Sequence, residues 1–419
     1  MAKELPLQLA EELSKIVNLS FESGEMMSKV TPTTAELLRF WFMEPFTDER
    51  AMNFHIGQKQ AILNIIYLHE IVGVSKVIDI YSHVMPDQMP LLDLSELSHE
   101  RFGMPKYAVK MATGTGKTWV MMALMIWQIL NARHEEQGNR FTKNFLIVAP
   151  GLVVYDRLQD AFLGRLQSAS GCRDIRTNDF YASESLFIPP AYRDEIHSFV
   201  ANNVVTKEDG IGRKATGDGL IALTNWHLFL KNNAENNVDD DSIESVIDDL
   251  LPLRPGTSGG NALDTLDRQY LRGNEMEYLA ELSNLMVIND EAHHIHENED
   301  DAVKWQQGLD KIFANKKDDC YQVDFSATPF TSQGSGKKSR KNYFPHIVVD
   351  FDLVTAMRMG LVKTLLLDKR QELTDLSTLD YSAVRDGKRV IGLSEGQRLM
   401  LRAGLKKLKL LEEGFMRLD

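Results

Sequence analysis

Three short stretches of this 419-residue chain combine residue types suited to phosphate chemistry. The first is Met111-Ala-Thr-Gly-Thr-Gly-Lys-Thr118. Gly114 and Gly116 allow a tight turn, so that amides of Thr113, Gly114, Thr115 and Gly116 can converge on phosphate oxygens at a helix amino terminus. Lys117 adds a point charge for the outer phosphates, and Thr118 offers a hydroxyl to magnesium. The second stretch, Asp290-Glu-Ala-His293, places two carboxylates directly after an apolar run. Asp290 can hold magnesium, and Glu291 can orient and deprotonate a water that attacks the γ-phosphate of ATP. The third is Ser326-Ala327-Thr328, whose hydroxyls can bridge an acidic box and the chain beyond it. His293 would sense the nucleotide and contact a neighbouring motif.

These groups can meet only if strands and helices bring them to one edge. Short β-branched runs at Tyr107–Met111, Phe145–Ala149, Leu220–Leu223, Leu285–Asn289 and Tyr321–Phe325 alternate with helical patterns. That alternation predicts an α/β fold with a parallel sheet wrapped by helices, whose ligands sit at the carboxyl ends of the strands. The phosphate-loop string follows a predicted strand and opens a predicted helix, which buries Trp119, Val120, Ala123, Ile126 and Leu130 against the sheet. Apolar residues at helical spacing (Leu5, Leu9, Leu13, Ile16, Val17), and again from Gln58 to Val74, predict a helical amino-terminal region over residues 1–100. The sheet domain is expected over 101–350, with an insertion at about 189–274 where periodicity weakens into Gly-rich and Asn/Asp-rich segments. Residues 351–419 are expected to begin a second domain.

Composition narrows the function classes. A net charge of -13 lacks the whole-chain electrostatic footprint of a dedicated nucleic-acid binder, so contact with DNA must come from local patches. The basic cluster is Lys337, Lys338, Arg340 and Lys341, in a Gly/Ser-rich stretch that suits a solvated loop. Cys172 and Cys320, far apart, point to a reducing, cytoplasmic setting rather than a zinc site or disulfide framework. The longest apolar run, Trp119–Leu130, is well short of the ~20 residues of a membrane span, and no membrane association is expected. His293, His294, His296 and Glu297 lack the His-Glu-x-x-His spacing that sets two imidazoles on one helical face.

Taken in order, Ala-Thr-Gly-Thr-Gly-Lys-Thr, Asp-Glu-Ala-His and Ser-Ala-Thr-Pro resemble motifs one, two and three of superfamily-two helicases of the Asp-Glu-Ala-His type. The resemblance implies a RecA-like phosphate-loop ATPase using ATP and Mg2+. It makes Gln58, in Gly57-Gln-Lys-Gln-Ala-Ile62, the adenine-reading glutamine, and Ala149-Pro150 the start of a nucleic-acid-contacting motif. Within the superfamily, Met111 at the first position of the loop, Phe344–Leu353 and Gly360-Leu-Val-Lys363 resemble the motor subunit of type III restriction enzymes. That narrower resemblance, over roughly 50–365, implies a translocase on double-stranded DNA, a methyltransferase or specificity partner, and a carboxyl-terminal nuclease. No Glu-x-Lys string of the restriction-nuclease type occurs, so no cleavage is expected of these residues. About 90 residues follow Thr328, too few for the whole second motor domain with its arginine, so a fragment or truncated relative with slow hydrolysis is expected. The competing reading is an ATP-binding switch or assembly subunit with little turnover. A GTPase reading rests on Asp209-Gly-Ile-Gly212 and Asn315-Lys-Lys-Asp318, which stand in the wrong places relative to the strands.

Overall fold

The structure is a computed structural model that describes residues 4–91, 95–136, 140–167, 172–212, 214, 216–225, 274–293, 299–313, 320–333, 340–363, 379–386 and 389–415. It divides into two compact units, Met1–Val362 and Lys363–Asp419.

The first unit is built on seven strands: β1 (Lys106–Met111), β2 (Asn144–Ala149), β3 (Val204–Thr206), β4 (Leu220–Asn225), β5 (Leu285–Asn289), β6 (Cys320–Ser326) and, after a two-stranded ribbon of β7 (Phe330–Gln333) and β8 (Arg340–Tyr343), β9 (Ile347–Phe351). Their order across the sheet is β9-β1-β6-β5-β2-β4-β3, and every neighbouring pair is parallel. The near-continuous apolar character of the strands follows, because a parallel sheet is covered on both faces. Alternate side chains divide between two cores. Tyr107, Val109, Phe145, Ile147, Met286, Ile288, Val323 and Phe325 share one with the amino-terminal helices. Ala108, Leu146, Val148, Leu285 and Val287 share the other with Leu279, Leu309, Ile312 and Phe313.

The helices introduced in chain order are α1 (Leu5–Glu22), α2 (Pro32–Phe42), α3 (Ile56–Ile66), α4 (Val77–Val84), α5 (Lys117–His134), α6 (Leu152–Leu163), α7 (Arg193–Asn203), α8 (Asn274–Glu281), α9 (Glu299–Phe313) and α10 (Leu353–Arg358). Helix α5, expected to bury one stripe, is buried all round from Val120 to Asn131. Its outer side is covered by the amino-terminal helices, so it behaves as a core helix. The carboxylate of Glu70 is a junction of that packing. It accepts from Trp127 Nε1 of α5 at 2.7 Å and from the Thr31 amide at 2.9 Å. Burial pushes the Glu70 carboxyl up, against these bonds and that from the Thr34 hydroxyl. Residues 1–100 therefore form one body with the sheet rather than a region apart. Helix α1 packs on the edge strand β9, and Asn64 Nδ2 of α3 donates to the Val348 carbonyl at 2.8 Å, which protects an otherwise open edge.

Two expected boundaries are corrected. The stretch 189–225, placed inside an insertion, supplies α7, β3 and β4, two of them strands of the central sheet. Strand β3 has only three residues, too few to show an alternation. The rest of the expected insertion, 226–273, lies outside the described residues. The first unit also extends past residue 350: Phe351 closes β9, and the chain continues through α10 to Val362. Taken by itself, the second unit contains a hairpin of β10 (Val384–Asp386) and β11 (Arg389–Gly392) and the helix α11 (Glu395–Phe415). No single helix among the described residues is long and apolar enough to cross a membrane.

Candidate nucleotide site

Three adjacent strands, β1, β6 and β5, end at the same edge of the sheet, and each delivers one of the chemical stretches. Strand β1 passes into the phosphate loop, in which Gly114 and Gly116 take left-handed φ values of 81° and 74° that an L side chain resists. At Gly116 a Cβ would also lie 2.5 Å from Gln58 Nε2 and would displace the end of that side chain. The loop is tied to itself by the Thr115 hydroxyl, which donates to the Ala112 carbonyl at 2.6 Å. Thr113 and Gly114 are exposed, Thr115 is buried, and α5 begins at Lys117 with Thr118 half-buried in its first turn.

Strand β5 ends in Asp290 and Glu291. The Lys117 ammonium forms an ion pair with the Glu291 carboxylate, both largely buried. Glu291 has a φ of 45°, the one non-glycine residue in the left-handed region among the described residues. Such strain costs about 1–3 kcal/mol and persists where surroundings over-determine it. Here the Glu291 amide donates to Asp290 Oδ1 at 2.9 Å, and the Asp290 amide donates to the Val148 carbonyl at 3.0 Å. Removal from water pushes the Asp290 carboxyl up to about 6; Lys117 opposes this and the Glu291 charge reinforces it.

Strand β6 ends in Ser326, fully buried, whose Oγ accepts from the Thr328 amide at 3.0 Å and lies 2.9 Å from His293 Nδ1. His293 is also 3.5 Å from Glu291, an ion pair when the imidazole is protonated. Ala327 is half-buried and Thr328 exposed. The structure thus brings together Lys117, Glu291, His293 and Ser326, and it sets Asp290 beside them. Thr118 and Asp290 are not in hydrogen-bond contact with each other.

Gln58 is buried, at 3% exposure, and not on a helix surface. Its Nε2 donates to the Gly116 carbonyl at 3.1 Å, and its Oε1 accepts from the His55 amide at 3.1 Å. His55 itself was not singled out by sequence, while Phe351 and Asn289, which border the site, entered only as members of the Phe344–Leu353 and Leu285–Asn289 stretches. Ala149 ends β2, and after Pro150 and Gly151 the first turn of α6 exposes Leu152 and Val153.

The family model described as the type III restriction enzyme res subunit matches residues 52–331, a span that covers all three stretches and Gln58. The chain belongs to that family. No curated protein matches the sequence. As a res-subunit family member it is a helicase-like ATPase of superfamily two, in keeping with the parallel sheet and the loop at its carboxyl edge.

Other candidate chemistry recedes on geometry. Asp209 caps a turn after β3, its carboxylate accepting from the Thr206 amide at 3.0 Å. Asn315–Asp318, His294, His296, Glu297 and Lys337–Ser339 lie outside the described residues, while Arg340 and Lys341 belong to β8. Among the described residues no group of His, Cys, Asp and Glu could hold a metal by itself. Cys172 is exposed and Cys320 buried, and the two are not joined in a disulfide.

Proposed function

We propose that this chain hydrolyses ATP in response to duplex DNA and moves along it, as the motor of a type III restriction or related defence system working with a methyltransferase or specificity subunit in the cytoplasm. The observation that carries this reading is the meeting of Lys117 and Glu291 beside the phosphate loop: a phosphate-binding cation and a base in contact at a strained strand end. Lys117 and Glu291, in contact, neutralise each other's charge. Phosphate oxygens would take Lys117 over and leave Glu291 free to accept a proton from water.

The loop amides of Thr113 to Gly116 and the Lys117 ammonium hold the phosphates. Thr118 and Asp290 would hold magnesium. Their surroundings fit that ion, because Asp290 is buried next to a second carboxylate with its proton affinity raised, a site short of positive charge. When bound, Mg2+ offsets the negative charge of the outer phosphates. Glu291 orients the attacking water. His293 passes the state of Glu291 to Ser326 and Thr328, to which it is already joined through the Ser326 hydroxyl. Gln58 keeps one N–H and one lone pair beyond its two bonds, enough to read the edge of adenine. The absence of a Glu-x-Lys string supports chemistry without DNA cleavage in these residues.

The deciding experiment is phosphate release from ATP with and without duplex DNA, with Glu291→Gln as control. DNA-stimulated turnover that vanishes in the variant is expected. Turnover indifferent to DNA would remove the motor reading. The ion pair also favours a second reading, an ATP-binding switch or assembly subunit, since Lys117 and Glu291 silence each other until something separates them. Tight ATP binding with negligible turnover, DNA present or not, would select it.

A further inference from the structure

The phosphate loop is gripped from behind by two side chains of one turn. His55 precedes α3, and its Nδ1 accepts from the Gly57 amide at 3.0 Å and, less closely, from the Gln58 amide at 3.4 Å. A nitrogen that accepts from an amide carries no proton, so in the neutral ring the proton sits on Nε2. That N–H therefore donates to the Thr115 carbonyl, 2.8 Å away. Three residues on, Gln58 Nε2 donates to the next carbonyl of the loop, that of Gly116, at 3.1 Å. Two successive loop carbonyls are thus held on one side.

The consequence follows from peptide planarity. In a trans peptide the C=O and the following N–H point in opposite directions. Fixing the Thr115 carbonyl on His55 turns the Gly116 amide the other way, and fixing the Gly116 carbonyl on Gln58 does the same for the Lys117 amide. Successive amides directed to one side make an anion-binding concavity. The imidazole is held in its turn. Phe351, the last residue of β9, stacks on it with centroids 5.2 Å apart and planes 28° from parallel. The same ring lies so close to Gly57 that a Cβ there would sit 2.5 Å from it, which accounts for glycine between His55 and Gln58.

We propose that His55 is a positioning residue for ATP hydrolysis: with Gln58 it forms a clasp on the phosphate loop that aims the Gly116 and Lys117 amides at the phosphates, and Phe351 fixes the clasp. This rests on the loop being the ATP site. The part that His55 plays in the clasp acts on phosphates and is blind to the base, whereas the remaining N–H and lone pair of Gln58 are the ones left for adenine.

The test is binding of ATP, GTP and inorganic tripolyphosphate, each with Mg2+, to the full chain and to His55→Asn. Asparagine caps a helix as histidine does here, through its side-chain oxygen, but is too short to reach the Thr115 carbonyl as well. The expected result is an unchanged Tm with all three ligands weakened by a similar factor, roughly 3–10-fold, the weight of one hydrogen bond. Loss of ATP affinity with tripolyphosphate unaffected would overturn the clasp in favour of a base contact, and unchanged affinity for all three would overturn it outright. Phe351→Leu, which leaves cap and carbonyl intact, provides an independent arm: a smaller, equally base-independent loss is expected, and full affinity for tripolyphosphate would count against the clasp. Failure of the wild-type chain to bind any of the three would instead strike the ATP-site reading itself.

Discussion

Strand β6 borders two groups of buried charge with opposite characters. At its carboxyl end stand Lys117, Asp290 and Glu291. Two residues back, on the face that packs against α8 and α9, Asp324 lies among Gln322, Asn289 and His346, with Lys106 nearby on β1. Asp324 is 4% exposed, and its carboxylate accepts from Asn289 at 2.7 Å, from Gln322 at 2.8 and 3.0 Å, and from His346 at 2.9 Å. Burial alone would raise its pKa; those partners, His346 first, hold it below the usual carboxylate value. Asp290, almost as buried, accepts one amide hydrogen bond, sits next to a second carboxylate and is pushed up to about 6. The lesson is that burial does not separate structural from functional charge, whereas satisfaction does. A carboxylate whose lone pairs are filled by fixed donors holds the fold together, and one left short of donors beside a strained residue is a candidate for binding a ligand.

That contrast breaks most visibly at Glu291. Glu291→Gln is expected to lower turnover by about 10²–10⁴, the usual weight of a general base, while ATP still binds. Its Tm is expected to stay near that of the wild type, because Lys117 keeps a polar neighbour. A turnover loss under tenfold, or a variant that unfolds, would place Glu291 with the structural group.

Asp324→Ala is the mirror experiment. It leaves Asn289, Gln322 and His346 with buried donors facing an apolar methyl, and removing one partner of such a buried set costs about 3–5 kcal/mol. Urea denaturation should show the full loss, and the protein that remains folded should bind ATP as before. A stable variant with weakened ATP affinity would mean that Asn289, which donates to Asp324 and immediately precedes Asp290, carries information between the two groups.

How far each group was legible in the sequence follows from the same contrast. The phosphate loop, Asp290–His293 and Ser326–Thr328 are contiguous strings, because a ligand at one strand edge is met by consecutive residues of each strand end. The Asp324 set draws on residues 106, 289, 322 and 324, which inside strands look like polar interruptions of an apolar run, and on His346 in the turn before β9. Only the pairing of β9, β1, β6 and β5 assembles them. His55 was missed for a related reason: a histidine before a helix is unremarkable until Thr115, sixty positions away, is seen to lie against it. Gln58 could be picked out because its neighbours form a string. The strands themselves were found to within a residue or two wherever four or more apolar residues run together, as in β5, whereas β3, three residues long, fell into an expected insertion.

The smallest expected effect tests whether the structural group is itself fully settled. Lys106 is 3% exposed, and burial brings its amine down to about 8 from its ordinary 10.5, with Asp324 and Asp310 opposing that fall and Arg101 adding to it. Between about 8 and 10.5 the folded protein therefore binds fewer protons at this site than the unfolded chain, so this group makes stability rise with pH across that window. Below pH 8 the amine is protonated in both states and its burial carries a constant penalty, of the order of 3 kcal/mol from a shift of that size. Lys106→Met keeps the aliphatic length and removes the charge. Its urea midpoint should exceed that of the wild type at pH 7 by an amount worth about 1–2 kcal/mol, after allowance for the lost attraction to Asp324 and to the Phe102 ring, 5.9 Å away. The gap should close by pH 10.5. A variant less stable than the wild type at pH 7, with a gap that vanishes only as the amine deprotonates, would show instead that Lys106 completes the Asp324 set, and that this part of the fold relies on charge as the nucleotide edge does.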